Sequence, residues 1–77
     1  MNQDIQNLVA DVLQMPAAAI TEDVAMKDLE AWDSLKHMEL VVAVEQNFQI
    51  QLTFDEILLM QSVGAIENVL RQRGVAV

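Results

Sequence analysis

Apolar positions along the chain repeat first at helical spacing, then irregularly, then at helical spacing again. From Asp4 to Gln14, Ile5, Leu8, Val9, Val12 and Leu13 fall at i, i+3, i+4, i+7 and i+8, one stripe of an amphipathic helix. Asn2 stands where an N-cap side chain accepts from the first turn, and Asp4 puts negative charge near the positive end of the dipole. Pro16 marks the stop, because it disfavours helical backbone in the residue before it. From Pro16 to Trp32 the periodicity lapses. Ala17 to Ile20 is apolar without a stripe, Thr21-Glu22-Asp23 is a capping-type cluster, and Leu29 and Trp32 are read as anchors pressing a long connection onto the core.

Ser34 to Phe48 carries Leu35, Met38, Leu40, Val41, Val42, Val44 and Phe48, too many apolar positions for one stripe. The predicted helix is therefore largely buried or has a second apolar face for a guest or partner. Its valines would suit a strand, but the segment is too long, and polar residues recur at Lys36, Glu39, Glu45 and Gln46. Asp33 takes the N-cap. Gln49-Ile50-Gln51-Leu52 alternates briefly, which suits an extended linker, and Thr53-Phe54-Asp55-Glu56 fits a capping box that opens a short helix to about Met60. Ser62 caps a last helix with its stripe at Val63, Ile66, Val69 and Leu70, Arg71 and Arg73 near its negative end, and Gly74 as its stop. Without repeats or an interdomain linker, residues 1–77 are read as one all-α domain. It is a four-helix bundle with three main helices, one short third helix and a long loop between the first two. Leu40, Val44, Ile57, Ile66 and Leu70 are expected in the core.

Composition then narrows the function. The chain has 77 residues, 53% of them hydrophobic, which argues for a folded protein. A chain this short hides only about 60% of its unfolded surface, enough for one modest core and not for a deep enzyme cleft with a lid. Four Lys and Arg against twelve Asp and Glu give a net charge of −8, the wrong sign for binding nucleic acid and the right sign for basic protein partners. There is no cysteine, hence no disulfide, Cys-ligated zinc or thiol nucleophile from the chain itself. With one histidine, and no acidic series at calcium-loop spacing, no metal site is expected. The first residues lack a basic stretch followed by an apolar run, and no segment approaches ~18 uninterrupted apolar residues, so a cytoplasmic protein away from membranes is expected.

Ser34, between Asp33 and Leu35 at the head of the most apolar helix, is the position that could carry chemistry. Its plain reading is structural, since Ser and Asp at a helix start satisfy free backbone N–H groups. His37, one turn later, raises a Ser–His nucleophile, but a hydrolase also needs an oxyanion hole and a sheltered pocket, for which the chain has no Gly-rich turn. His37 is read instead as a surface residue. Asp33, Glu39 and Glu45, with Glu30, would ring Ser34 with negative charge that basic partners could read, while Asp4, Asp11, Glu22 and Glu67 are read as solvated.

What changes the weight on Ser34 is the order of the surrounding residues: Leu29, then Trp32-Asp33-Ser34-Leu35, Met38-Glu39-Leu40-Val41, Glu45 with Phe48 and Ile50, Thr53 with Glu56, and Ser62-Val63. In this order the chain resembles the acyl carrier protein family over nearly its whole length. The resemblance implies a small helical bundle, not an enzyme, in which Ser34 receives a 4′-phosphopantetheine arm from coenzyme A through a separate Mg²⁺-dependent phosphopantetheinyl transferase. Acyl groups then ride as thioesters on the arm's thiol. It also implies that Asp33 and Leu35 are recognition neighbours of the arm. Met38, Glu39 and Val42 then face partners, namely acyl- or aminoacyl-loading and transferring enzymes with basic docking patches. A monomer is expected.

Lys36 stands where fatty-acid-synthesis members of the family commonly have an acidic residue, and Trp32 would add apolar surface beside the arm. Both point towards a specialised pathway, such as polyketide, peptide, lipid or saccharide acylation, over housekeeping fatty acid synthesis. The alternative is an acidic helical adaptor that binds basic proteins and is never modified. Whichever holds, a charge of −8 on so small a core repels itself, so the melting temperature should rise on going from low to moderate salt. An unchanged midpoint would show the charges too dispersed to matter.

Overall fold

The stripes meet in one apolar cluster. In the computed structural model, which describes residues 1–77, α1 spans Gln3–Leu13, α2 Ser34–Phe48, α3 Phe54–Leu59 and α4 Val63–Gln72. Ile5, Val9 and Leu13 of α1 pack with Leu40 and Val44 of α2 and with Val63, Ile66, Val69 and Leu70 of α4. Each such side chain withdrawn from water contributes about 1.5–3 kcal/mol, which is what orders three helices in so short a chain. Ile20, Trp32 and Met60 enter the same cluster from between the helices. Leu29 packs against it, so both expected anchors of the long connection do press inward. α3 buries no residue fully, and Ile57 is only half-buried rather than in the core.

The helix ends follow their caps. Asn2 Oδ1 accepts from the Ile5 N–H at 3.1 Å, and Ser62 Oγ accepts from the Ala65 N–H at 3.0 Å. The capping box at α3 is complete, with the Glu56 N–H donating to Thr53 Oγ1 and the Thr53 N–H to Glu56 Oε1. Gly74, at φ 82°, ends α4, and the Val75 N–H closes back on the Leu70 carbonyl at 2.9 Å. α1 stops before Pro16 can act: Gln14 turns left-handed at φ 55° and the Met15 N–H takes the Ala10 carbonyl at 3.0 Å.

The connection from α1 to α2 carries two 3₁₀ turns, Ala17–Ala19 and Met26–Asp28, and is tied down by backbone groups. The Val63 and Gly64 N–H groups, free at the start of α4, donate to the Val24 and Glu22 carbonyls at 2.9 and 3.1 Å. The Met26 N–H donates to the Gln61 carbonyl at 2.9 Å. Gly64 permits this approach, since a Cβ there would lie 3.3 Å from the Glu22 carbonyl oxygen. Gln6 Nε2 donates to the Ala17 carbonyl at 2.7 Å and holds the first 3₁₀ turn against α1.

Glu67 departs from its reading as a solvated acid. It is 1% exposed, because it falls at i+4 from Val63 and so lies on the inward stripe of α4. Its Oε2 accepts from the Asn2 N–H at 3.1 Å, which sets the carboxylate at the positive end of α1.

Glu56 also bonds Arg73 at 2.6 Å, linking the start of α3 to the end of α4. Its carboxyl titrates below the usual 4.5, chiefly because the Thr53 backbone N–H donates to the ionised form, with the Arg73 charge helping and desolvation opposing. A lowered folded value means that this contribution is complete above the unfolded value and is lost as pH falls through the folded one. The stability gap between wild type and Glu56→Gln, followed by urea unfolding at several pH values, should be widest near neutrality. It should close as pH drops below 4.5.

Candidate functional site

Ser34 is the first residue of α2, and Asp33 is its N-cap in extended backbone. Asp33 Oδ1 accepts from the Lys36 N–H at 2.9 Å, and its carbonyl from the His37 N–H at 2.8 Å. Two of the orphan donors of the helix start are thereby used. The Ser34 and Leu35 N–H groups have no partner within the chain, and the Ser34 hydroxyl is exposed and makes no hydrogen bond. An exposed hydroxyl beside two free N–H groups at the positive end of a helix suits an attached phosphodiester, an anion that such a terminus favours by ~0.3–1 kcal/mol. The Asp33 carboxylate opposes it by like charge, so Asp33 serves the helix rather than the anion. No group of three or more His, Cys, Asp or Glu residues is placed to hold a metal ion, and no helix is long and apolar enough to cross a membrane.

Two neighbours of Ser34 differ from expectation. His37 is 8% exposed, not a surface residue, and Trp32 is 1% exposed, so it offers no apolar surface beside Ser34. Trp32 Nε1 donates to His37 Nδ1 at 3.0 Å, and His37 Nε2 lies 2.8 Å from the Ile57 carbonyl of α3. Both ring nitrogens are thus committed and none is left to activate Ser34, which disposes of the Ser–His pairing. The signal was present in the sequence: His37, Leu40, Val41 and Val44 fall at i, i+3, i+4 and i+7, the inward stripe of α2. Glu45 is likewise not a free docking acid. Its Oε2 accepts from the Leu52 N–H at 2.8 Å and fixes the linker to α3.

The opposite stripe of α2 carries Leu35, Met38 and Val42, all exposed, Leu35 to 69%. Glu39 is exposed beside them and pairs with Lys36 at 3.1 Å, which offsets its charge. α3 adds exposed Phe54, Leu58 and Leu59, none anticipated from the sequence, where they read only as part of a short helix. On both helices, large apolar side chains thus stand open to solvent.

Residues 3–70 match the family model described as the phosphopantetheine attachment site. The chain belongs to the acyl carrier protein family. It is 32% identical over 75 residues to an acyl carrier protein of Helicobacter pylori, covering 96% of this chain and 95% of the relative. It is 35% identical over 63 residues to one of Exiguobacterium sibiricum, covering 82% of this chain and 80% of that protein. In three dimensions it resembles the solution structure of holo acyl carrier protein from Geobacter metallireducens, with a TM-score of 0.78 and 25% identity over 90% of this chain and 79% of that one. As a member of this family the protein is a carrier and not an enzyme, its cofactor is 4′-phosphopantetheine, and it works with modifying and acyl-transferring enzymes. In the carrier, loss of the cap by Asp33→Ala should cost about 1 kcal/mol, whereas Asp33→Asn should change stability by a few tenths. The urea midpoints of the two variants check this.

Proposed function

We propose that Ser34 is the residue through which the carrier holds its 4′-phosphopantetheine arm, with Asp33 and Leu35 as the neighbours a transferase reads. The observation that carries this is the exposed, unbonded Ser34 hydroxyl beside two free N–H groups at the head of α2. When attached, the arm supplies the thiol on which acyl or aminoacyl groups are carried. The chain's own residues present the hydroxyl and position it through the Asp33 cap. They supply no base, since His37 is committed elsewhere, so activation of Ser34 falls to the transferase.

Met38, Glu39 and Val42 form the partner-facing stripe with Leu35, met by loading and transferring enzymes through apolar contact and positive charge. Lys36, paired with Glu39, lowers the negative charge of that stripe and favours a specialised acylation pathway over housekeeping fatty acid synthesis. The burial of Trp32 removes the other support for that pathway. In this reading the 77 residues act as one monomeric carrier unit in the cytoplasm. No observation favours an unmodified adaptor.

Incubation with coenzyme A, Mg²⁺ and a broad-specificity phosphopantetheinyl transferase should add one phosphopantetheine to the intact mass, and Ser34→Ala should add none. Modification that survives Ser34→Ala, or no modification by several competent transferases, overturns the assignment.

A further inference from the structure

Trp32 and His37 bracket Ser34, and attachment at Ser34 accounts for neither. An indole N–H only donates and a peptide carbonyl only accepts. With Trp32 Nε1 at 3.0 Å from His37 Nδ1 and the Ile57 carbonyl at 2.8 Å from His37 Nε2, one form of the ring satisfies both: the neutral imidazole with its hydrogen on Nε2. The two rings lie stacked, centroids 6.1 Å apart and 27° from parallel. The bond to Ile57 reaches a carbonyl in the last turn of α3, where its other donor is the Met60 N–H at 3.3 Å. α3 has no fully buried side chain to fix it. Half-buried Ile57 and fully buried Met60, which ends the helix, hold it in place together with two polar bonds: Glu56 to Arg73 at its start and His37 to Ile57 near its finish.

We propose that His37 is a positioning residue that, in its neutral Nε2–H form, holds the Trp32 segment on one ring nitrogen and α3 on the other, and that its protonation breaks the lock on Trp32 alone and so alters how Ser34 is presented. A proton taken from solvent by the Nδ1 lone pair sets two N–H groups face to face across the 3.0 Å contact. No other bond need form or break. The Trp32 indole, 1% exposed, is then a buried donor without an acceptor, and the segment that carries it, immediately before Asp33 and Ser34, gains by moving outwards. The charged groups on the elements packed around the ring are Glu30 and Asp33 before α2, Lys36, Glu39 and Glu45 on α2, and Asp55 and Glu56 on α3. None forms an ion pair with the imidazole, so no carboxylate there compensates an imidazolium. The effect on Ser34 rests on the attachment reading; the lock itself does not.

The lock is tested by NMR titration of the isotope-labelled full chain from about pH 8 to 5, the range of histidine, with the single tryptophan as reporter. Near pH 8 the ring should be the Nε2–H tautomer. On acidification the Trp32 indole N–H and the amides from Glu30 to Asp33 should shift on the same curve as the imidazole, while those of α1 stay still. The opposite tautomer, or an indole N–H that ignores the imidazole, overturns the lock. Trp32→Phe keeps a ring but removes the donor, and should abolish the coupled response of the Glu30 to Asp33 amides.

Presentation is tested by the kcat/KM of a phosphopantetheinyl transferase for wild type relative to Trp32→Phe, a ratio that cancels the pH dependence of the transferase. That ratio should change about fivefold between neutral and acid pH, the size of one hydrogen bond, and a flat ratio refutes the effect on Ser34. If Trp32→Phe does not fold, the wild-type titration still decides the lock. If neither chain is modified at all, the attachment reading fails while the titration again stands.

Discussion

Burial of one side of α2 against α1 and α4 is the constraint on which the rest depends. Leu40 and Val44 are fully enclosed, and they fix both the rotation of α2 about its axis and its height in the bundle. Once that rotation is set, Leu35, Met38 and Val42 must face outwards and Ser34 must stand at the rim, because helical spacing leaves them nowhere else. The exposed apolar surface is thus a geometric by-product of the buried one. A helix with apolar residues on two sides can satisfy only one of them inside a chain this small.

The remaining segments are placed mostly by polar bonds, since there is not enough apolar surface to go round. The long connection gives its carbonyls at Glu22 and Val24 to the open end of α4, so two loose ends satisfy each other. Glu45 spends its carboxylate on the Leu52 N–H and Glu67 on the Asn2 N–H, each tying a chain segment to a helix across the fold. α3 is the extreme case, an element with polar fastenings at both ends whose side chains are exposed except for half-buried Glu56 and Ile57.

Much of this was legible in the sequence, and the exceptions have a common cause. Stripes and caps are local: α2 runs over the span from Ser34 to Phe48 that its residues foretold, Asp33, Thr53 and Ser62 cap as their types require, and Gly74 stops α4. Of the site, the exposed Ser34 with its cap could be read, as could the outward Met38, Glu39 and Val42. The polar residues on inward stripes were misjudged. His37 and Glu67 sit at positions that periodicity marks as buried, but residue type argued for solvent, and only the fold supplies the Trp32 and Ile57 groups that satisfy His37 and the Asn2 N–H that meets one oxygen of Glu67, its Oε1 being left without a partner. Glu45 failed as a free acid for the same reason: its partner at Leu52 is close only once the linker has folded back.

The outward face of α2 and α3 has one more implication. Side chains as open as Leu35 at 69% and Phe54 at 72% would, on a neutral body, draw two copies together face to face. Here each copy carries eight net negative charges on a body 28 × 23 × 19 Å, and like fields meet over about 8 Å at physiological salt before any such contact forms. A molecule of opposite sign meets attraction over the same gap. Charge of this sign weighs against pairing with a second copy and in favour of a basic stranger, a bias set before a single side chain has touched.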